Sequence, residues 1–558
     1  MTSRSRDPIT LSVIQAGLTA AADEMFAVLK KTAMSPIIYE VLDVGTGITD
    51  ARGELVSSGA GIPTFVGVLD KAVKRILEIE GAENVREGDL FVTNDPSYGG
   101  VTHLNDVVIA MPVFAKGELV AWTASIAHWN DVGGMTPGSM STTASEIFQE
   151  GLRLPAVRLF DTGTLLQPVF DIIMANSRLP DFVRGDLWAQ VAASRRAATR
   201  VAQLVDTYTL QTFRDALENL FEEGERRARA GLAALPRGTF RIEEEQDDGA
   251  VWHAEIRITE DAFTVDLSGN PAQRRAPYNT SRDGAVISSQ MIFRALSDPT
   301  LAANAGSFRP LQVITEEGTI FHATGTAPHG YYFETRIRLY DMLWQCMSRA
   351  LPERMPAGHF ASICGTVLAG DHPDTSRRYT MVEPQMGGWG ATATRDGLDA
   401  MYSASHGETF NCPVEICETR YGIDVGYKRL NESDAGHGLH SGGKGLSVSY
   451  KPRAQTVLAA GYSRNRVPVW GANGGDNGGT NAIAVQRKDG SRETYAFISG
   501  LVVEPGDEVV ISTANGGGWG RSDPRKGRDD HGLPPGPGSL RGGRQPDLGP
   551  RYPASGRS

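Results

Sequence analysis

The chain has 558 residues, of which 40% are hydrophobic and 22% charged, a balance typical of globular proteins long enough for several domains. Its net charge is −11, and lysine and arginine are scattered up to about residue 520, which argues against a nucleic-acid binder because such proteins present a basic face. The sequence contains no run of 18 apolar residues, so no membrane span is expected. The first residues lack the apolar core of a signal peptide.

Cysteine usage is typical of a reducing compartment. Four cysteines are too few for a disulfide scaffold in a chain of this length, and none belongs to a C-x-x-C pair. They are Cys346, Cys364, Cys412 and Cys417. We therefore expect neither a zinc ribbon nor a thioredoxin-type motif, and we expect a cytoplasmic location.

The first predicted element is a long helix. It begins after Asp7-Pro8 and ends before Ser35-Pro36, because proline favours the first turn of a helix and interrupts its interior. Its apolar positions keep helical spacing at Ile14, Leu18, Met25 and Leu29. Two strands follow, joined by the turn DARG at residues 50–53.

Residues 107–127, VVIAMPVFAKGELVAWTASIA, predict a β-hairpin with a Lys-Gly turn. A His-x-x-Asp pair stands at each end, His103 and Asp106 before the hairpin and His128 and Asp131 after it. A hairpin brings its two ends together, and imidazole with carboxylate is the ligand set that suits Zn, Mn or Fe. The pattern favours a divalent metal site, and the alternative is two polar strand ends in unrelated loops.

The middle of the chain changes from helical to strand periodicity. Residues 168–235 are predicted to be mostly helical, with one helix beginning at Gly185-Asp186 and a second from about Val205 to Leu232. From residue 239 apolar residues alternate with polar ones, as in strands. One further helix is predicted around YDMLWQCMSRALP, residues 340–352.

The last third predicts a β-rich module and a tail. Residues 410–520 are dense in glycine and short strands, which is typical of a sandwich or barrel. The segment GLHSGGKG at 438–445 lacks the Ser or Thr that should follow Lys444 in a phosphate-binding loop, so no nucleotide site is predicted. After Gly520 aliphatic residues nearly vanish, which predicts a disordered tail.

These elements predict an α+β protein in several regions. We assign an N-terminal α/β metal-site region at 1–165, a helical region at 166–238, a mixed α/β region at 239–408, a glycine-rich β region at 409–520 and the tail at 521–558.

Several segments also resemble one known family in the family's own order. NDPSYGGVTHLNDVVIAMPVF, AHWNDVGG and EIFQEGLRLP resemble landmarks of the hydantoinase B family, as do PYNTSRDGAV, NCPVEICETRY and the closing NGGGWG. The resemblance covers residues from about 7 to 520 and implies a multi-layer hydantoinase B-like fold. Relatives include N-methylhydantoinase, 5-oxoprolinase and caprolactamase B-type subunits, and acetone and acetophenone carboxylases.

The resemblance implies a metal held by His103, Asp106 and His128, with Asp43 at the position of an acidic residue in the family's N-terminal region. Asp131 is an alternative ligand or a group that orients His128. The family often has a second histidine after the first, and here Trp129 replaces it, which favours His128 as the ligand and would alter the polarity of the pocket.

Polar groups in the segment FQEGLRLP complete the candidate site. Glu150 and Arg153 are predicted to line it beside Asp131, since arginine suits the grip of a carboxylate or phosphate. The alternative for Glu150 and for Arg153 is a surface ion pair. We therefore assign catalytic roles to Asp131, Glu150 and Arg153 as expectations.

The family's chemistry implies the function. The chain is expected to be the B-type subunit of an ATP-dependent cyclic-amide hydrolase, in a hetero-oligomer whose A-type subunit holds ATP and Mg and phosphorylates a small-molecule substrate. The metal would then assist ring opening. Two alternatives stay open: a subunit of an ATP-dependent ketone carboxylase, and a non-catalytic scaffold subunit.

Overall fold

A computed structural model describes residues 7–97, 100–300, 302–407 and 409–522. It combines helices and sheets, which confirms the mixed α and β class. The predicted tail lies outside the described residues from position 523 onward.

The N-terminal part begins with the predicted long helix. Helix α1 (Pro8–Thr32) starts where the Asp7 carboxylate accepts hydrogen bonds from the backbone N–H groups of Ile9 and Thr10. Two more helices follow, α2 (Pro36–Tyr39) and α3 (Pro63–Glu80), and the sequence pattern predicts neither of them. By length and composition alone α1 is apolar enough to cross a membrane, but its predicted apolar positions are buried in the protein interior.

A seven-stranded sheet forms the centre of this part. Its strands are β1 (Val44–Asp50), β2 (Leu55–Gly61), β3 (Leu90–Thr93), β4 (Asp106–Ala115), β5 (Glu118–His128), β6 (Val157–Asp161) and β7 (Thr164–Leu165). Their order is β2-β1-β5-β4-β3-β6-β7. The predicted hairpin is confirmed as β4 and β5, and its register pairs Asp106 with His128.

A helical segment follows the sheet as α4 (Gln167–Ala175), α5 (Pro180–Tyr208) and α6 (Leu210–Ala233). The predicted helix boundaries here are wrong. Helix α5 begins at Pro180 rather than Gly185 because a proline is well placed in a first helical turn. The next break falls at Thr209, whose φ of 70° is incompatible with a continuous helix.

Both faces of the central sheet are covered, because alternate residues of a strand point to opposite sides. Val107 and Ile109 pack with residues of α1 and α5. Val108 and Ala110 pack with residues of α3, including Phe65. The open end of the hairpin therefore lies deep inside a three-layer arrangement.

The next part packs two helices on a four-stranded sheet. The strands are β8 (Gly238–Glu245), β9 (Val251–Ile258), β10 (Phe263–Asp266) and β11 (Leu311–Ile314), in the order β11-β10-β9-β8. The helices are α7 (Arg282–Ser297) and α8 (Tyr332–Ala350). The sequence pattern predicts only part of α8 and misses α7, which Ser281 caps by accepting a hydrogen bond from the Gly284 N–H.

The C-terminal part is a sandwich of two sheets, one of the two architectures that the sequence pattern predicts. Its elements are β12 (Gly365–Asp371), β13 (Arg378–Glu383), α9 (Val414–Tyr421), β14 (Ile423–Leu430), β15 (Leu446–Pro452), β16 (Thr456–Gly461), β17 (Ala482–Gln486), β18 (Arg492–Tyr495), β19 (Phe497–Val503) and β20 (Glu508–Ser512). The sheets run β13-β12-β16-β19 and β14-β15-β20-β17-β18, and they share one apolar core. Because β12 and β13 precede residue 409, the sandwich crosses the region boundary predicted there.

Candidate metal centre

The hairpin brings three of the predicted metal ligands together. Asp106 opens β4 and His128 closes β5, and they face each other across the strand pair. His103 lies one turn before Asp106, whose backbone N–H donates to the His103 carbonyl at 3.1 Å. One donor atom from each of the three side chains lies within 4.8 Å of the others, so a local sequence pattern produces the cluster.

This cluster has the chemistry of a metal site. All three side chains are buried, yet Asp106 Oδ1 and His128 Nδ1 have no hydrogen-bond partner among the described residues, which is costly unless a ligand satisfies them. His103 Nε2 lies 3.2 Å from Asp106 Oδ1. Two ligand atoms that each lie about 2.1 Å from one ion are roughly 3–3.5 Å apart, so the residues present fit a divalent metal.

The cluster opens into a small cavity of about 40 Å³. A water molecule needs roughly 10–15 Å³ measured in this way, so the space suits an ion with a few water molecules or a small reacting group. Most of the lining is apolar or aromatic. Besides the cluster, the cavity is lined by Asp43, Phe65, Met140, Tyr332, Phe333, Ile363, Gly365, Val382, Pro384 and His406.

Asp43 shares the cavity but lies outside the tight cluster. Its backbone carbonyl accepts a hydrogen bond from the His128 N–H at 3.1 Å, and its Oδ1 is a buried atom without a partner among the described residues. Burial and then the charge of Asp106 hold the pKa of Asp43 well above its ordinary value. Asp43 is thus the candidate fourth donor, and a cation in the cavity would favour its ionised form.

The protonation states of Asp106 and His128 are those that metal ligands need. Burial raises the pKa of Asp106, but the nearby His103 and His128 outweigh it and hold that pKa below its ordinary value. Burial lowers the pKa of His128 to about 4. At neutral pH the cluster therefore offers a carboxylate and a neutral imidazole, the forms that bind metals.

Two hydroxyl groups fix the Asp106 carboxylate. The Thr102 hydroxyl donates to Asp106 Oδ2, and the Tyr332 hydroxyl lies 3.4 Å from the same oxygen. Oδ1 is thereby left to the cluster, where it lies beside His103 Nε2. Burial, and then the charge of Asp106, hold the pKa of Tyr332 well above its ordinary value, so it stays a phenol.

Glu150 does not line the cavity but contacts the backbone turn that holds His103. Its carboxylate accepts hydrogen bonds from the backbone N–H groups of His329 at 2.8 Å and Gly330 at 2.6 Å. The Gly330 carbonyl lies 3.2 Å from His103 Nδ1, which places the proton on Nδ1 and leaves Nε2 for the cluster. A Cβ at Gly330 would lie 2.8 Å from Glu150 Oε1, so glycine keeps this contact close.

The structure does not bring the other two expected catalytic residues to the cluster. Asp131 accepts hydrogen bonds from the backbone of Gly133 and Gly138 and forms an ion pair with Arg178 at 3.0 Å, so both its oxygens are engaged away from His128. Arg153 pairs with Asp95 at 2.6 Å. Both residues therefore stabilise loops around the site.

Trp129 also points away from the cavity. Its indole N–H donates to Gln190 Oε1 on α5 at 2.9 Å, and its ring is buried in the core between the sheet and the helices. The expectation that Trp129 alters the pocket's polarity is wrong, because its side chain is directed toward α5 and does not belong to the cavity lining.

Sequence reasoning missed the residues that come from distant segments. Tyr332 lies on α8, and His406 lies in a loop, more than 200 residues after the hairpin. His406 is buried against the cavity, its Nδ1 has no partner among the described residues, and burial lowers its pKa to about 3. No local pattern identifies either residue, because only the tertiary fold places them near His103.

Comparison with known proteins places this geometry in context. The sequence profile described as Hydantoinase B/oxoprolinase matches residues 7–522. The beta subunit of caprolactamase from Pseudomonas jessenii is 30% identical over 538 residues, which cover 92% of this chain and 91% of that protein. The putative D-/L-hydantoinase of Pseudomonas sp. strain NS671 has a B-type subunit that is 29% identical, with 92% of this chain and 90% of that protein covered.

Solved structures show the same fold. The crystal structure of ATP-dependent caprolactamase from Pseudomonas jessenii superposes with a TM-score of 0.85 at 25% identity, covering 92% of this chain and 91% of that chain. A nucleotide-free acetone carboxylase structure superposes with a TM-score of 0.84 at 19% identity, covering 93% of this chain and 77% of that chain.

Proposed function

The chain belongs to the hydantoinase B/oxoprolinase family, and from this premise we propose that it is the B-type subunit of an ATP-dependent enzyme that opens a cyclic amide at a metal centre. The family relatives are subunits named for hydantoinase and caprolactamase activity. The observation that carries the proposal is the buried cluster of His103, Asp106 and His128, with its unpartnered donor atoms.

The chain's own residues prepare this centre. His103, Asp106 and His128 would hold a Zn, Mn or Fe ion, with Asp43 as the fourth donor. Such an ion, when bound, polarises a carbonyl oxygen or lowers the pKa of water. The apolar walls exclude bulk water, which strengthens the electrostatic interactions inside.

Fixed groups around the cavity would orient the reaction. Tyr332 remains a hydrogen-bond donor near the Asp106 carboxylate. Glu150, through the turn at Gly330, keeps His103 in one tautomer. These contacts hold the donor atoms in place before the substrate arrives, so little reorganisation is needed at the moment of reaction.

ATP would bind and react on a partner subunit. The segment around Lys444 leads directly into β15 rather than into a helix, so it lacks the strand-to-helix setting of a phosphate-binding loop. We infer a hetero-oligomer in which an A-type subunit phosphorylates the lactam or hydantoin oxygen and hands the intermediate to this chain for ring opening.

The test is to produce the chain with and without the A-type subunit and to measure metal content and substrate-dependent ATP hydrolysis. We expect near-stoichiometric metal in the wild type, loss of metal and ring opening in His128→Ala, and no change in a matched control, His437→Ala, whose side chain is exposed. Full activity of the isolated chain would contradict the division of labour. ATP turnover that requires bicarbonate would favour the carboxylase alternative, and activity that survives metal loss would favour the scaffold.

A further inference from the structure

Arg336 is a buried cation that forms no ion pair among the described residues. It lies on α8, one turn after Tyr332, and its side chain is fully buried. Its Nη2 donates to the Ser405 hydroxyl at 2.7 Å, its Nη1 lies 4.0 Å from Met291 Sδ, and its Nε has no partner. The groups that contact the guanidinium in the described part of the chain are therefore neutral.

Two other buried arginines of this protein form ion pairs with carboxylates. Arg338, two residues further along α8, lies 3.1 Å from a carboxylate oxygen of Glu244. Arg464 pairs with Glu244 at 2.7 Å and also with Asp341. A buried charge is normally paired because its desolvation is costly. The Asp106 and Glu334 carboxylates act on Arg336 only from beyond ion-pair distance, so the place next to the guanidinium is open to an anion that is not part of the chain.

Arg336 lines neither of two nearby spaces itself, but its neighbours line both. On one side is the metal cavity, to which Tyr332 and His406 contribute. On the other side is a larger cleft of about 530 Å³, to which Met291 and Ala404 contribute. The hydrogen-bond partner of Arg336, Ser405, lies between Ala404 and His406 in the chain, so the guanidinium sits where the two spaces approach each other.

The start of α3 likewise lines both spaces. Pro63 and Val66 line the outer cleft, whereas Phe65 lines the metal cavity. The Thr64 hydroxyl donates to the Ser405 carbonyl at 3.2 Å and ties the two segments together. A substrate group that enters through the cleft would therefore approach Ser405 first, with the guanidinium of Arg336 behind it.

We propose that Arg336 is the oxyanion-binding residue of this site and that it takes the phosphoryl group of the activated substrate while the amide lies at the metal cluster. A planar guanidinium can donate two parallel hydrogen bonds to a phosphoryl group, and such a group would supply a counter-charge in direct contact. Ser405, which now accepts a hydrogen bond from Nη2, would be displaced by the phosphoryl oxygens or would donate its own proton to them.

The inference rests on the proposed function for the identity of the substrate, but its test does not require turnover. The metal-loaded full-length chain is titrated with inorganic phosphate and, separately, with acetate, by calorimetry. The variants are Arg336→Lys, which keeps the charge, Arg336→Met, which removes it, and Arg349→Met as a control on the exposed end of the same helix. Melting temperature and metal content establish that each variant is folded.

We expect saturable phosphate binding by the wild type and by Arg349→Met, and affinity weaker by about tenfold or more in both Arg336 variants, since charge-assisted hydrogen bonds are the strong ones. Unchanged phosphate affinity in a folded Arg336 variant, or no phosphate binding by the wild type, would overturn the proposal. Acetate binding as tight as phosphate would overturn the assignment to a phosphoryl group. An enzyme without ring-opening activity that still binds phosphate through Arg336 would refute the function and not this inference.

Discussion

Replacing Glu150 by glutamine tests how the candidate metal centre is supported. The wild-type carboxylate is 1% exposed and accepts two backbone hydrogen bonds, from His329 and Gly330. Glutamine has a single acceptor oxygen at this position, so one of the two N–H groups would face the amide NH₂ instead. The substitution therefore removes one hydrogen bond and also removes the titrating carboxyl group at position 150.

The expected magnitude follows from the pKa of Glu150. Burial, only partly offset by the two backbone hydrogen bonds, raises this pKa from 4.5 to about 7. A carboxyl whose pKa is raised in the folded state contributes stability that is complete below pH 4.5 and lost as the pH rises through 7. Each unit of difference is worth about 1.4 kcal/mol, so the wild type should lose about 2–3 kcal/mol from this residue between about pH 5 and 8.

The variant does not share this loss. Its unsatisfied N–H costs about 1–3 kcal/mol at every pH. Glu150→Gln should therefore be less stable than the wild type at about pH 5, and the difference should shrink or reverse by about pH 8. All other titrating groups are common to both proteins, so the difference between them isolates position 150.

Scanning calorimetry at several values between about pH 5 and 8 would measure this difference as a change of a few degrees in relative Tm. Glu353→Gln, at an exposed position on the surface, is the matched control and should show no such trend. A gap between wild type and Glu150→Gln that stays constant with pH would refute the reasoning. In a second measurement, the variant should bind metal roughly 10–100-fold more weakly, because groups that orient a metal ligand affect affinity to that extent.

Three further outcomes follow from the positions of neighbouring groups. Arg178→Met should lower the stability by about 2 kcal/mol, measured as Tm, because it leaves the buried Asp131 carboxylate without its ion pair; an unchanged Tm would show that the backbone donors suffice. Trp129→His should leave metal content unchanged and destabilise the core by about 3 kcal/mol or more, since the indole faces Gln190; extra bound metal would contradict this. Asp43→Asn should weaken metal affinity by about tenfold or more, and equal affinity in a metal titration would remove Asp43 from the ligand set.

The sequence predicts the parts of the site that are local. The resemblance to the hydantoinase B family is confirmed, and so is the hairpin that joins His103, Asp106 and His128. Alternating apolar strands and a two-residue turn determine that hairpin over a short stretch of chain, so the convergence of its ends needs no tertiary information.

Long-range contacts explain why the roles expected for Glu150 and Asp131 differ from the positions found in the structure. Glu150 is near the site as expected, but its role depends on Gly330, which lies 180 residues away in the sequence. Asp131 repeats the His-x-x-Asp spacing, yet Arg178 and the backbone of the following loop hold it away from the cavity. A spacing rule cannot distinguish Asp106, which stands inside a strand pair, from Asp131, which begins a loop.

The division between local and distant residues also suggests how this fold could serve several reactions. The three clustered candidate ligands lie on one hairpin or just before it, whereas Asp43 and the groups proposed to contact a substrate, Tyr332 and Arg336 on α8 and His406 in its loop, come from separate segments. Changes in those segments can alter what the cavity accepts without disturbing the pairing of Asp106 with His128. Substrate choice should therefore respond to substitutions on α8 and around residue 405, while metal content should respond to substitutions at the ends of the hairpin and at Asp43.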